Sequence, residues 1–103
     1  MELVQRKRLE IVVESILLRA VRRCLDDHGA TGYTILPVMG GRGEAGEWSR
    51  EGQVSAAAEM SMVVCLTTDE RAETIVEAVL PLLSRGHGVI SVSDAQVARP
   101  EKF

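Results

Sequence analysis

Four stretches of this chain read as strands, two of them with a period of two between opposite faces, and two others repeat apolar residues at helical spacing, in an order that leaves few folds open. Residues 7–13 (KRLEIVV) put Leu9, Ile11 and Val13 on one face of a first strand. Ser15 then stands at the head of a helix that carries Ile16, Leu17, Leu18, Val21, Cys24 and Leu25 on one side and Arg19, Arg22 and Arg23 on the other. Gly29 suits the C-terminal cap of that helix, with His28 beside it. Residues 31–39 form a second strand, and Pro37, which has no N–H to donate, points to an edge, a bulge or a frayed end.

Residues 57–66 (AAEMSMVVCL) are a third strand, alternating Met60, Met62, Val64 and Leu66 against Glu59, Ser61, Val63 and Cys65. Asp69 is the expected cap of a second helix bearing Ala72, Ile75, Val76, Val79, Leu80 and Leu83, whose end Pro81 should kink or loosen. Residues 88–92 (GVISV) open a fourth strand running on toward Ala98. The order is βαββαβ, over one domain spanning residues 1–103. It predicts an α+β, ferredoxin-like fold, in which right-handed crossovers lay both helices on one face of a four-stranded antiparallel sheet.

The other face is expected to hold Val12, Val63 and Cys65 among Arg8, Glu10, Glu59 and Ser61. That mixture suits a symmetric oligomer whose sheets meet. A face left to water is the alternative.

The formal net charge of −3 argues against nucleic acid or an anionic membrane surface as a partner, since both require excess cation. Aromatic residues make up only 3% of the chain, too few for base-stacking platforms. Cys24 and Cys65 lie inside apolar runs with neither a CxxC spacing nor a histidine cluster, so they are expected to be buried free thiols rather than metal ligands. With no signal-peptide pattern and no long apolar run, the cytoplasm is the expected location.

Chemistry concentrates in the glycine-rich stretch after the second strand. Gly40, Gly41, Gly43 and Gly46 give the backbone freedom to bring N–H groups to an anion, and Arg42 and Arg50 add bidentate donors. Glu44, Glu47 and Glu51 accompany them, and Trp48, the sole tryptophan, is either a partner-docking anchor or a lid on a ligand. Gly86 and Gly88 around His87 make a turn able to offer N–H groups to phosphate, and Arg99 and Lys102 can supply charge. Neither a nucleophile with a positioned base nor a carboxylate pair at metal-binding spacing is apparent, so no catalytic residue is assigned and an enzyme is not expected.

Residues 14–38 (ESILLRAVRRCLDDHGATGYTILPV), with TGYT at 31–34, and the tail GVISVSDAQV resemble the PII-like signalling proteins, most closely the subgroup linked to bicarbonate transport and carboxysomes. The resemblance implies a homotrimer that binds adenine nucleotide in the clefts between subunits. It implies a T-loop at about 40–57, a B-loop at about 84–88 that wraps phosphates, and a C-terminal segment, 99–103, that brings cations from the neighbouring subunit. The nucleotide-binding residues it implies are Gly32, Tyr33, Thr34, Gly40, Gly41, Arg42, Gly43, Gly86, His87, Gly88, Arg99 and Lys102, with Glu44, Trp48 and Arg50 facing a partner.

Departures from the pattern narrow this. The loop has no tyrosine and Gln53 lies near its far end, so uridylylation and 2-oxoglutarate sensing are not expected. The short B-loop lacks lysine, which favours AMP or ADP over ATP. The C-terminal cysteine pair of some relatives is missing. The implied protein is a sensor of ADP or AMP, with bicarbonate as a candidate co-ligand, signalling to a membrane transporter or a carbon-metabolism protein. A slow nucleotide-hydrolysing enzyme, an ACT-like ligand-binding domain and a cation-tolerance-like trimer are the alternatives; the last two leave the Gly/Arg/Trp loop unexplained.

Overall fold

A computed structural model describes residues 2–43, 46–49, 59–84 and 88–103. Its elements are β1 (Val4–Glu14), a 3-10 turn (Ser15–Leu17), α1 (Leu18–Asp27), β2 (Thr34–Val38), β3 (Gly40–Gly43), β4 (Gly46–Ser49), β5 (Met60–Thr67), α2 (Asp69–Leu83), β6 (Val89–Val97) and a second 3-10 turn (Pro100–Lys102). Four strands form one sheet in the order β2-β5-β1-β6, every pair antiparallel. The ferredoxin-like plan therefore holds, with a separate β3-β4 ribbon between the second and third strands of the sheet. Pro37 lies in β2, an edge strand, where its missing donor costs no ladder bond on the open side.

Register decides which side chains reach the core. Leu9 pairs with Cys65 and Ile11 with Val63, so these four share a face, and all are fully buried. They meet Val21 and Leu25 of α1 and Ala72, Ile75, Val79 and Leu83 of α2. Burial of each such Leu, Ile or Val side chain contributes about 1.5–3 kcal/mol. Val63 and Cys65 thus face the helices, which corrects their expected place on the open face. The open face instead carries Arg8, Glu10 and Val12 of β1 against Leu66, Val64 and Met62 of β5, continued by Thr34, Leu36 and Val38 of β2.

The helix ends differ in detail from expectation. Ser15 does not cap α1: its hydroxyl lies 2.7 Å from Ser61 Oγ and its N–H donates to Glu59 O at 2.9 Å, tying the helix entry to β5. Ile16, placed on the apolar side of the helix by spacing, is 69% exposed because it falls in the 3-10 turn. Thr68, rather than Asp69, caps α2 by accepting from Arg71 N–H at 3.3 Å, and Asp69 and Glu70 follow in the first turn, near the positive end of the helix. α2 continues through Pro81 to Leu83. So near the C-terminus the ring forfeits a single intrahelical bond, and Ser84 Oγ donates to Pro81 O at 2.9 Å.

Gly29 does close α1. Its φ of 82° lets Ala30 N–H reach Leu25 O at 2.9 Å while Gly29 N–H reaches Asp26 O at 3.4 Å, and His28 Nδ1 sits 2.9 Å from Cys24 O. One polar atom in the core is left over: Thr67 Oγ1 is buried and makes no hydrogen bond among the described residues.

Candidate functional site

The approach to β2 sets two neighbours on opposite sides. Thr34 pairs with Val64 and belongs to the open face. Tyr33 turns the other way, its ring packed against the core, its hydroxyl accepting from Arg22 Nε at 3.2 Å and its centroid 5.9 Å from the Arg22 guanidinium carbon. The side chains of the two residues grouped together from the sequence therefore leave the strand on opposite faces: Tyr33 is held by α1, and Thr34 lies on the open sheet face. Gly32 has open space where a Cβ would stand, and its carbonyl accepts from Cys65 Sγ at 3.4 Å. Burial pushes the Cys65 thiol up to about 11, which keeps it the neutral donor that this contact needs.

The C-terminal segment comes back to the same place. Thr31 Oγ1 donates to Lys102 O at 2.9 Å, and Arg6 donates through Nε to Phe103 O at 3.4 Å and through Nη2 to Pro100 O at 3.5 Å. Residues 31–34 and 99–103, singled out separately in the sequence, are brought together. The resemblance assigns the tail to a neighbouring subunit, yet its main chain is tied to its own chain. The side chains of Arg99 and Lys102 remain exposed, Arg99 only loosely paired with Glu101 at 3.8 Å.

Within the glycine-rich stretch, β3 and β4 pair as a two-stranded ribbon. Gly40, Gly41, Arg42 and Gly43 pair with Ser49, Trp48, Glu47 and Gly46, and Gly46 takes a φ of 107° that glycine adopts without strain. Arg42 Nη2 contacts Glu47 Oε1 at 3.2 Å with side chains 77% and 76% exposed. Such a pair contributes less than about 1 kcal/mol and leaves the guanidinium available to an anion. Among the described residues, no hydrogen bond or ion pair links Arg42 to residues 31–34 or to the tail.

Gly88 has a packing reason to be glycine, since a Cβ there would lie 2.6 Å from Leu83 Cδ2. Glu44, Arg50, Gly86 and His87, and the side chain of Trp48, lie outside the described residues. Arg6 was not singled out from the sequence, and Thr31 and Arg22 were read only as parts of the TGYT segment and of the polar side of the first helix. Two of them donate to main-chain carbonyls, contacts that no residue pattern records.

Among the described residues no group of His, Cys, Asp and Glu is arranged to hold a metal ion, and no helix is long and apolar enough to cross a membrane. Cys65 is buried as expected, while Cys24 is only half-buried; both are free thiols. The surface has shallow depressions, one of about 440 Å³ on α1 beside Arg19, Arg22 and Arg23 and another of about 510 Å³ beside Arg6 and Arg71.

Comparison with known proteins agrees with this architecture. The family described as Nitrogen regulatory protein P-II matches residues 6–102. The fold is similar to that of CPII, a nitrogen regulatory PII-like protein from Thiomonas intermedia K12 solved with ADP, AMP and bicarbonate, with a TM-score of 0.90 and 29% identity over 99% of this chain and 96% of that one. A second CPII structure, with ADP and bicarbonate, gives 0.85 and 31% over 99% and 97%. A PII-like signalling protein from Thermus thermophilus gives 0.82 and 25% over 100% and 99%. Comparison with curated protein sequences finds no match.

Proposed function

The chain belongs to the nitrogen regulatory P-II family, as a divergent PII-like signalling protein, and on that premise we propose that it is a cytoplasmic homotrimer sensing ADP or AMP together with bicarbonate. The observation that carries this reading is the contact between Thr31 Oγ1 and Lys102 O at 2.9 Å, which joins the segment leading into β2 to the cationic tail. A nucleotide needs both kinds of group at once: polar atoms for a base edge, such as the Thr34 hydroxyl, and fixed cations for phosphate, such as Arg99 and Lys102. Gly32 lets a ligand approach the backbone closely, and Gly88 and its neighbours Gly86 and His87 would offer donors to phosphate.

The depression beside Arg6 is open to solvent, and a neighbouring subunit would complete a cleft there. The open sheet face, with Leu36, Met62 and Val64 beside Glu10 and Thr34, is the surface such subunits would share. CPII, similar over nearly its whole length, was solved with ADP, AMP and bicarbonate, which supports the same ligands here.

Gly40, Gly41, Arg42 and Gly43 would close over phosphate or bicarbonate, with Arg42 exchanging its exposed carboxylate partner for the ligand. Glu44, Trp48 and Arg50 would face a transporter or a carbon-metabolism protein, so that ribbon order reports occupancy. Calorimetry with AMP, ADP, ATP, cyclic AMP and bicarbonate tests the proposal. ADP and AMP should bind more tightly than ATP; failure of every adenine nucleotide to bind below about millimolar, roughly −4 kcal/mol, would sink it.

A further inference from the structure

Arg6 donates from all three guanidinium nitrogens to main-chain oxygens. Nη1 donates to Gln5 O at 2.9 Å, Nε to Phe103 O at 3.4 Å and Nη2 to Pro100 O at 3.5 Å. A cation whose donors end on main-chain oxygens of separate segments ties those segments together. Thr31 binds the same short segment through Lys102 O at 2.9 Å. The segment closes on itself as well, Lys102 N–H donating to Arg99 O at 3.0 Å and Phe103 N–H to Pro100 O at 3.1 Å.

A short segment outside the sheet keeps its conformational freedom unless something ties it down. Here the ties come from β1 and from the approach to β2, and they hold the backbone of residues 100–103 while leaving the Arg99 and Lys102 side chains exposed. Holding the main chain and freeing the cations is the arrangement that presents charge to a ligand with little ordering left to do when it binds.

We infer that Arg6 and Thr31 are positioning residues for the ligand: they buckle the C-terminal turn so that Arg99 and Lys102 present fixed cations toward the phosphates of a bound nucleoside diphosphate. The inference rests on the nucleotide reading above and assigns it two residues, neither of which touches the ligand.

ADP titrations of the wild-type chain, Arg6→Gln, Thr31→Val and the double variant Arg99→Ala with Lys102→Ala test it. Arg6→Gln and Thr31→Val should each weaken ADP binding three- to tenfold. Placed in the background lacking both cations, Arg6→Gln should add no further loss, because it acts only through them. Amide hydrogen exchange at Lys102 and Phe103 should be several times faster in ligand-free Arg6→Gln protein than in wild type.

Equal ADP affinity of Arg6→Gln and wild type overturns the positioning role, as does a full additive loss in the cation-free background, which would make Arg6 a direct contributor of charge. If wild type binds no ADP, the nucleotide reading falls instead. Should Arg6→Gln fail to fold, Thr31→Val, which keeps the β-branched shape and removes only the hydroxyl, decides the question by the same comparison.

Discussion

Gly88 and Leu83 are packed so closely that a methyl group on the glycine would lie 2.6 Å from Leu83 Cδ2 and 3.3 Å from Leu83 Cβ. Leu83 is 8% exposed and belongs to the core cluster, so it has little room to give way. Gly88→Ala should therefore destabilise the fold by about 1–3 kcal/mol, the ordinary cost of overpacking. Denaturant unfolding measures it. A midpoint equal to wild type would show that Leu83 yields freely, and any nucleotide defect of the variant would then belong to the phosphate contact alone.

Thr67 Oγ1 is buried with no hydrogen-bond partner among the described residues. Thr67→Val keeps the shape and removes the orphaned hydroxyl, so stability should rise by about 1 kcal/mol. A fall in the unfolding midpoint would mean that the hydroxyl has a partner after all.

The Cys65 thiol is pushed by burial from its ordinary 9.0 up to about 11. Above pH 9 the unfolded chain loses this proton while the folded chain keeps it, so the unfolded state binds fewer protons and stability falls as pH rises. The loss should develop between pH 9 and 11 and reach on the order of 2 kcal/mol. Stability measured against pH should show that decline in wild type, and a Cys65→Ala variant, less stable throughout, should lack this component. An identical slope in both proteins would remove Cys65 as the cause.

Met62 lies on the open sheet face opposite Val12 and Leu36. Met62→Lys puts a charge in the centre of the surface assigned to subunit contact, and desolvating it would cost more than the assembly gains there. Light scattering should report dissociation to monomer with the helical signal retained. A variant that stayed trimeric would move the interface elsewhere.

Element order was legible because apolar periodicity depends only on local geometry, and β1 shows it cleanly at Leu9, Ile11 and Val13. The phase of β5 was not, since Met62, Val64 and Leu66 are as apolar as Val63 and Cys65; only pairing with β1 decides which set meets the helices. The ribbon was hidden for a related reason. Four glycines read as freedom, while the cross-strand pairing of Arg42 with Glu47 that aligns them is a relation between two positions. At the candidate site, residues 31–34 and 99–103 were visible as separate segments, but their meeting depends on carbonyl acceptors, which every residue has.

Met39 alone separates β2 from β3. β2 is anchored to β5 along its length, whereas β3 among the described residues is paired with β4 alone, so on the β2 side the ribbon meets the sheet through a single residue with two dihedral angles and would act as a lever about it. At about 3.3 Å per strand residue the tip stands roughly 13 Å from that joint, and a rotation of about 10° there would carry it about 2 Å. A shift in β2 too small to disturb the sheet would thus be magnified at the far end of the arm, and Met39, 59% exposed and bound into neither sheet, is where its gearing would be set.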